Sequence, residues 1–125
     1  MNQAQKTILI VEDEKTLSQA LQMKLGKEGF QIELANNGEE ALSKLTKGTI
    51  DFVVADLLMP VMDGFTFLEK MREQKIQIPV MVLSNLGQPS DLNRLKELGV
   101  DDFSPKSTVS LSEIVMHIKG RLGLS

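Results

Sequence analysis

Glu12 and Asp13, Asp56, Ser84 and Lys106 each follow, directly or closely, on a short apolar run of the 125-residue chain. If these groups meet in one place, the three carboxylates repel one another and need a positive partner. Hard oxygen donors with room for water suit Mg²⁺, or Mn²⁺ in its stead. A carboxylate can also act as a nucleophile and become an acyl phosphate. Phosphoryl transfer asks for cations on the equatorial oxygens and for accurate positioning, more than for covalent help. A divalent metal and the Lys106 ammonium would supply that charge. The Ser84 hydroxyl could hydrogen-bond a further phosphoryl oxygen.

The elements that must position these groups are legible as changes of period. Ile8 to Val11, Phe52 to Ala55 and Val80 to Leu83 are continuous apolar runs, the pattern of strands buried on both faces. Gln31 to Ala35 alternates, as a half-exposed edge strand does, and Val100 to Ser104 is a weaker fifth strand. Between them lie helical stripes. Leu17, Ala20, Leu21 and Leu25 share one face, with Gly29 as a stop. Ala41, Leu42 and Leu45 follow the turn Asn36-Asn37-Gly38. Asp63 can cap a helix carrying Leu68 and Met71. Leu92, Leu95 and Leu98 run to Gly99, with Pro89 near the helix start. Ser110 and Glu113 have capping-box spacing before Ile114, Ile118 and Leu122. Five strands alternating with five helices predict an α/β fold, (βα)5, a doubly wound parallel five-stranded sheet. Ligands of such sheets bind beyond the carboxyl ends of the strands. With strand order 2-1-3-4-5 the polar groups above converge there.

Composition narrows the function classes. The formal net charge is −3 without a basic stripe, which argues against direct nucleic-acid binding. No run of apolar residues reaches a bilayer span, so no membrane partner is expected. The polar start, Met1 to Thr7, lacks a signal core. The absence of cysteine removes disulfide frameworks, Cys-bound zinc and thiol catalysis, and fits a cytoplasmic location. No internal repeat or linker divides the chain, so 1–125 reads as a single domain with no output domain.

The segment Asp56-Leu57-Leu58-Met59-Pro60-Val61-Met62-Asp63-Gly64 resembles the receiver motif of two-component response regulators, D-x-x-M-P-x-x-D-G. With Ile10-Val11-Glu12-Asp13-Glu14 and Val82-Leu83-Ser84 in order, the resemblance spans nearly the whole chain. It implies a flavodoxin-like sheet, of the kind seen in chemotaxis regulators, and a signalling switch rather than a free-standing metabolic enzyme. Asp56 would be the phospho-acceptor. Glu12, Asp13, Asp56 and the Leu58 backbone carbonyl would hold the metal. Lys106 would pair with the phosphoryl group, Ser84 would move toward it, and Phe103 would turn inward as the switch aromatic. Pro60 and Gly64 would shape the loop after Asp56. The resemblance also implies the partners: a histidine kinase or histidine phosphotransfer protein as donor, and a downstream protein or an output domain as target. The responding face would be helix 4, strand 5 and helix 5, and a phosphorylation-dependent dimer is compatible with it.

Three departures from the family pattern bear on the site. The usual Lys-Pro, with a cis bond, is here Pro105-Lys106-Ser107. A cis Lys106–Ser107 bond would cost about 2.5–4 kcal/mol, so the loop is either rebuilt with a trans bond or strained. Phe103 has no hydroxyl, which leaves packing as its only means of coupling. Asn85 stands where the family has a small residue, and its bulk would narrow the site. Leu58 and Leu86 occupy positions that, by resemblance, flank the attacking water, and are expected to slow loss of the phosphoryl group.

Taken singly, each residue has a plainer reading. Glu12 and Asp13 could be a solvated loop, Asp56 the start of a turn, Ser84 a strand-end hydroxyl, Lys106 a surface lysine and Phe103 core packing. His117, alone on the last helix, reads as a surface residue, and Met59, Met62, Met71 and Met81 as packing. Other functions meet specific obstacles. An aspartyl hydrolase commonly has a second Asp two residues after the nucleophile, where this chain has Leu58. A flavin module needs a phosphate-cradling loop, and Glu12-Asp13-Glu14 would repel phosphate. A receiver that binds partners without phosphorylation is opposed by the intact acids, Ser84 and Lys106, and kept open by the Pro105-Lys106 order.

Overall fold

A computed structural model describes residues 5–57, 61–85, 89–100 and 102–124. Strands and helices alternate throughout: β1 (Thr7–Val11), α1 (Lys15–Lys27), β2 (Gln31–Ala35), α2 (Gly38–Leu45), β3 (Phe52–Ala55), α3 (Gly64–Glu73), β4 (Val80–Leu83), α4 (Pro89–Glu97), β5 (Asp102–Ser104) and α5 (Leu111–Arg121). All strand pairs are parallel, in the order β2-β1-β3-β4-β5. The expected doubly wound fold and its strand order are both present.

Burial follows from the period of two along each strand. Leu9, Val11, Val53, Ala55, Val80 and Val82 pack on one face with Leu42, Phe67, Leu68, Met71 and Leu95. Ile8, Ile10, Phe52, Val54, Met81 and Leu83 pack on the other with Leu21, Leu25, Ile114 and Ile118. The continuous apolar runs are thus strands covered on both sides, whereas alternating β2 lies at the edge and is buried only at Ala35.

Helix ends obey local chemistry. The side chains of Asn37, Asp63 and Ser110 accept from the N–H groups of Glu40, Thr66 and Glu113, and the Ser110–Glu113 capping box closes in both directions. Gly29 turns the chain out of α1 at φ +96°. Two expectations need correction. β5 is shorter than the run Val100 to Ser104: Val100 donates to the Leu95 carbonyl and belongs to the end of α4. Leu92 is exposed, so Leu95 anchors α4 with help from half-buried Leu98. His117 is exposed on α5, and Met71 and Met81 are fully buried.

Two arginines tie helices together away from the strand ends. Arg72 donates through Nε to the Leu98 carbonyl at 2.7 Å and through Nη1 to the Ile76 carbonyl at 2.8 Å. Arg94 of α4 pairs with Glu69 of α3 at 2.9 Å and lies over the Phe65 ring, 4.3 Å from its centroid.

Candidate functional site

The sheet ladder continues one residue past three strands, and that extension places the polar groups. Glu12 donates its N–H to the Ala35 carbonyl, Asp56 to Val11 and Ser84 to Ser104. All three residues are therefore held at the carboxyl edge by backbone bonds rather than by loop packing. Their exposures are 5%, 4% and 0%. One oxygen from each of Glu12, Asp13 and Asp56 lies within 4.8 Å of the others, and Asp13 faces solvent.

Lys106 reaches this cluster from the turn after β5. Its Nζ stands 2.8 Å from Asp56 Oδ2, 3.1 Å from Glu12 and 3.7 Å from Glu14. Burial pulls the lysine pKa down, but hydrogen bonds to Asp56 and Glu12 outweigh it, and the pKa is raised. Burial pushes the Glu12 pKa up, against the Glu14 N–H and Lys106, which favour its charge. The ammonium is thus held charged, while Glu12 is a carboxylate that gains from any further cation.

Gly64 makes the approach of α3 to the acidic cluster feasible. A Cβ there would fall 2.5 Å from Leu57 Cα and 2.7 Å from the Asp56 carbonyl oxygen. The Gly64 N–H donates to the Leu57 carbonyl at 2.9 Å, closing the loop that Asp63 then caps. Val61, on the same loop, is exposed and takes φ +70°, a strained conformation for a β-branched side chain.

Sequence reading identified Glu12, Asp13, Asp56 and Lys106, and these do meet. Ser84 lies at the adjoining strand end, and its buried Oγ has no hydrogen-bond partner among the described residues, a costly state for a hydroxyl. Phe103 is half-buried against the core of the α3–α4 side. Leu58, Met59, Pro60 and Leu86 lie outside the described residues. The Lys106–Ser107 bond is trans, since the described residues contain no cis peptide; the loop is rebuilt rather than strained. Two contacts were missed. Glu14 joins the lysine's partners, and Asn85, read for its bulk alone, accepts the Ser107 N–H at 3.0 Å. The amide type of Asn85 beside a strand end was the available signal.

Comparison with known proteins defines the class. The response regulator receiver domain family matches residues 8–119, so the chain belongs to that family, the receivers of two-component systems. It is 35% identical over 112 residues to the transcriptional regulatory protein PcoR of Escherichia coli, covering 90% of this chain and 49% of that protein. It is 34% identical to the transcriptional regulatory protein ResD of Bacillus subtilis, covering 98% and 50%. The chain spans about half the length of these curated relatives. Among solved structures, the signal receiver domain of a signal transduction histidine kinase from Syntrophus aciditrophicus superposes with TM-score 0.84 at 36% identity, covering 94% of this chain and 90% of that one. Chemotaxis protein CheY4 of Vibrio cholerae gives 0.85 at 27%, covering 94% and 98%. These relatives are regulatory proteins rather than metabolic enzymes, and response regulator receivers interact with histidine kinases. No helix among the described residues is long and apolar enough to cross a membrane.

Receiver domains bind Mg²⁺ at an acidic cluster, and the donor set here fits that ion. It offers carboxylate oxygens, two from buried residues that gain from a cation and one from exposed Asp13, open to water.

Proposed function

We propose that Asp56 accepts a phosphoryl group from the phosphohistidine of a histidine kinase or phosphotransfer protein, and that this event alters the face formed by α4, β5 and α5. The observation that carries the reading is Lys106 Nζ at 2.8 Å from a nearly buried Asp56, inside a cluster of three carboxylates. An Asp56 carboxylate oxygen attacks phosphorus, the phosphorus–nitrogen bond breaks, and its electron pair returns to the donor imidazole. The result is an acyl phosphate on Asp56. Bound Mg²⁺, held by Glu12, Asp13 and Asp56 with the Leu58 carbonyl as a further ligand, would neutralise charge on the phosphoryl oxygens. Lys106, already beside Asp56, pairs with a second phosphoryl oxygen. The unpartnered Ser84 hydroxyl donates to a third. Movement of Ser84 makes room beneath β5, and Phe103 follows by packing alone. Such a change is a shift between two conformations biased by a new charge. Residues 1–125 act as one receiver unit in the cytoplasm, and its target is a separate protein or an output domain.

Intact mass after incubation with acetyl phosphate tests the proposal. With Mg²⁺ the chain should gain one phosphoryl group, and Asp56→Asn should gain none. A wild-type chain that gains nothing from this donor, nor from a histidine kinase, overturns the reading in favour of a receiver that works without phosphorylation.

The raised Glu12 pKa makes metal binding depend on pH. Ligation needs the carboxylate, so protons compete with Mg²⁺ above the ordinary glutamate value of 4.5. Mg²⁺ should raise the melting temperature at neutral pH by linkage, and by clearly less near pH 5. Melting curves with Mg²⁺ or with EDTA check this; an equal shift at both pH values would contradict it.

A further inference from the structure

We infer that Asn85 is a positioning residue that sets the aim of Lys106, an inference that rests on the phospho-acceptor reading above. Lys106 sits in a tight turn, in which Thr108 and Val109 both donate to the Pro105 carbonyl. This turn is tied to the end of β4 at two points. The Ser84 N–H donates to the Ser104 carbonyl at 3.2 Å, and the Asn85 Oδ1 accepts from the Ser107 N–H at 3.0 Å. Two consecutive residues of one strand end thus bracket the lysine, two positions before it and one after it.

The bracket matters because a lysine stem is flexible and its ammonium is a point charge without directional preference. The direction of the side chain is inherited from the backbone that carries it. Without the Ser107 anchor, the turn is held to β4 on one side only. The anchor also joins the neighbour of Ser84 to the neighbour of Lys106. The two groups that face the phosphoryl oxygens are therefore moved by one mechanical unit. Asn85 is exposed and its side chain bonds the Ser107 backbone beside the lysine, so its action on Lys106 is indirect. This is a different role from a bulky wall that narrows the site.

Two variants separate the roles: Asn85→Ala removes bulk and acceptor, and Asn85→Leu keeps bulk without the acceptor. The readouts are phosphorylation rate from saturating acetyl phosphate with Mg²⁺, donor half-saturation, melting temperature, and exchange of the Ser107 amide in metal-free protein. An exposed neutral hydrogen bond supports a change of roughly three- to tenfold. Asn85→Ala and Asn85→Leu should each slow the saturated rate by that factor and speed Ser107 amide exchange, with half-saturation unchanged and the melting temperature lowered by only about a few °C in both. Unchanged rates or unchanged amide exchange overturn the inference. A faster Asn85→Ala with a normal Asn85→Leu also overturns it and assigns Asn85 as a wall. Failure of the wild-type chain to accept phosphate is a separate result, which overturns the functional reading itself.

Discussion

Lys106→Ala should lower the melting temperature of the metal-free protein by about 10 °C at neutral pH, and Mg²⁺ should restore most of the loss. Glu12 and Asp56 expose only 3% and 5% of their side chains and share this ammonium. Breaking a buried ion pair by removing one partner costs about 3–5 kcal/mol, because the remaining buried charge loses its counter-ion. In a chain of this size the lower end of that range corresponds to about 10 °C. The sign of the pH dependence follows from the protons. With the cation gone, the folded protein binds protons at its carboxylates more tightly than the unfolded chain does, so stability falls as pH rises above the ordinary carboxylate range. The deficit should therefore be small near pH 4.5 and full at neutral pH. In the wild-type protein the raised Lys106 pKa has the same sign at much higher pH: its contribution is complete below 10.5 and disappears as pH rises through the higher folded value. A variant that melts like the wild type in EDTA at neutral pH, or whose deficit ignores both pH and Mg²⁺, would show that the cluster does not depend on this lysine.

The second large effect concerns Gly64. Gly64→Ala places a methyl group 2.5 Å from Leu57 Cα and 2.7 Å from the Asp56 carbonyl oxygen. Both obstacles are backbone, so no side-chain rotation relieves the clash. Either α3 retreats or the Asp56 loop shifts, at a cost of about 3 kcal/mol. The same variant should lose Mg²⁺ affinity, because the shifted backbone carries Asp56. Gly26→Ala is the matching control. A Cβ there meets nothing within 4 Å, and alanine inside a helix is favoured over glycine by about 0.5–1 kcal/mol. Denaturant titration should give opposite signs for the two substitutions. Equal effects would mean that the close approach at Gly64 is not a constraint.

Much of the fold was legible because parallel strands leave an unambiguous trace. Ile8 to Val11, Phe52 to Ala55 and Val80 to Leu83 are apolar without a break, and only burial on both faces accommodates that. The capping signals at Asp63 and Ser110 are local, so they survive without tertiary context. Strand β5 was overextended because Val100 is as apolar as a strand residue, yet it is spent on closing the end of α4. In the site, the acids and Lys106 could be read because each follows a strand. The partnership of Asn85 with Ser107 could not be read, since it joins residues 22 apart with α4 and β5 between them. Likewise, the crowding at Gly64 depends on how closely α3 approaches Leu57, a distance that no residue pattern encodes.

Arg72 has a mechanical consequence for α4. One guanidinium grips the carbonyl of Leu98, just past the end of α4, and that of Ile76, just past the end of α3. Buried Leu95 anchors the same end of the helix. The middle of α4 is held to α3 by Arg94, through an exposed ion pair and a ring contact, and exposed pairs contribute little in water. Sliding α4 along its axis would strip the charged hydrogen bond from the Leu98 carbonyl, whereas swinging it about that point leaves the bond in place. A movement of α4 that keeps this bond therefore pivots at Leu98 and displaces most the end nearest the acidic cluster.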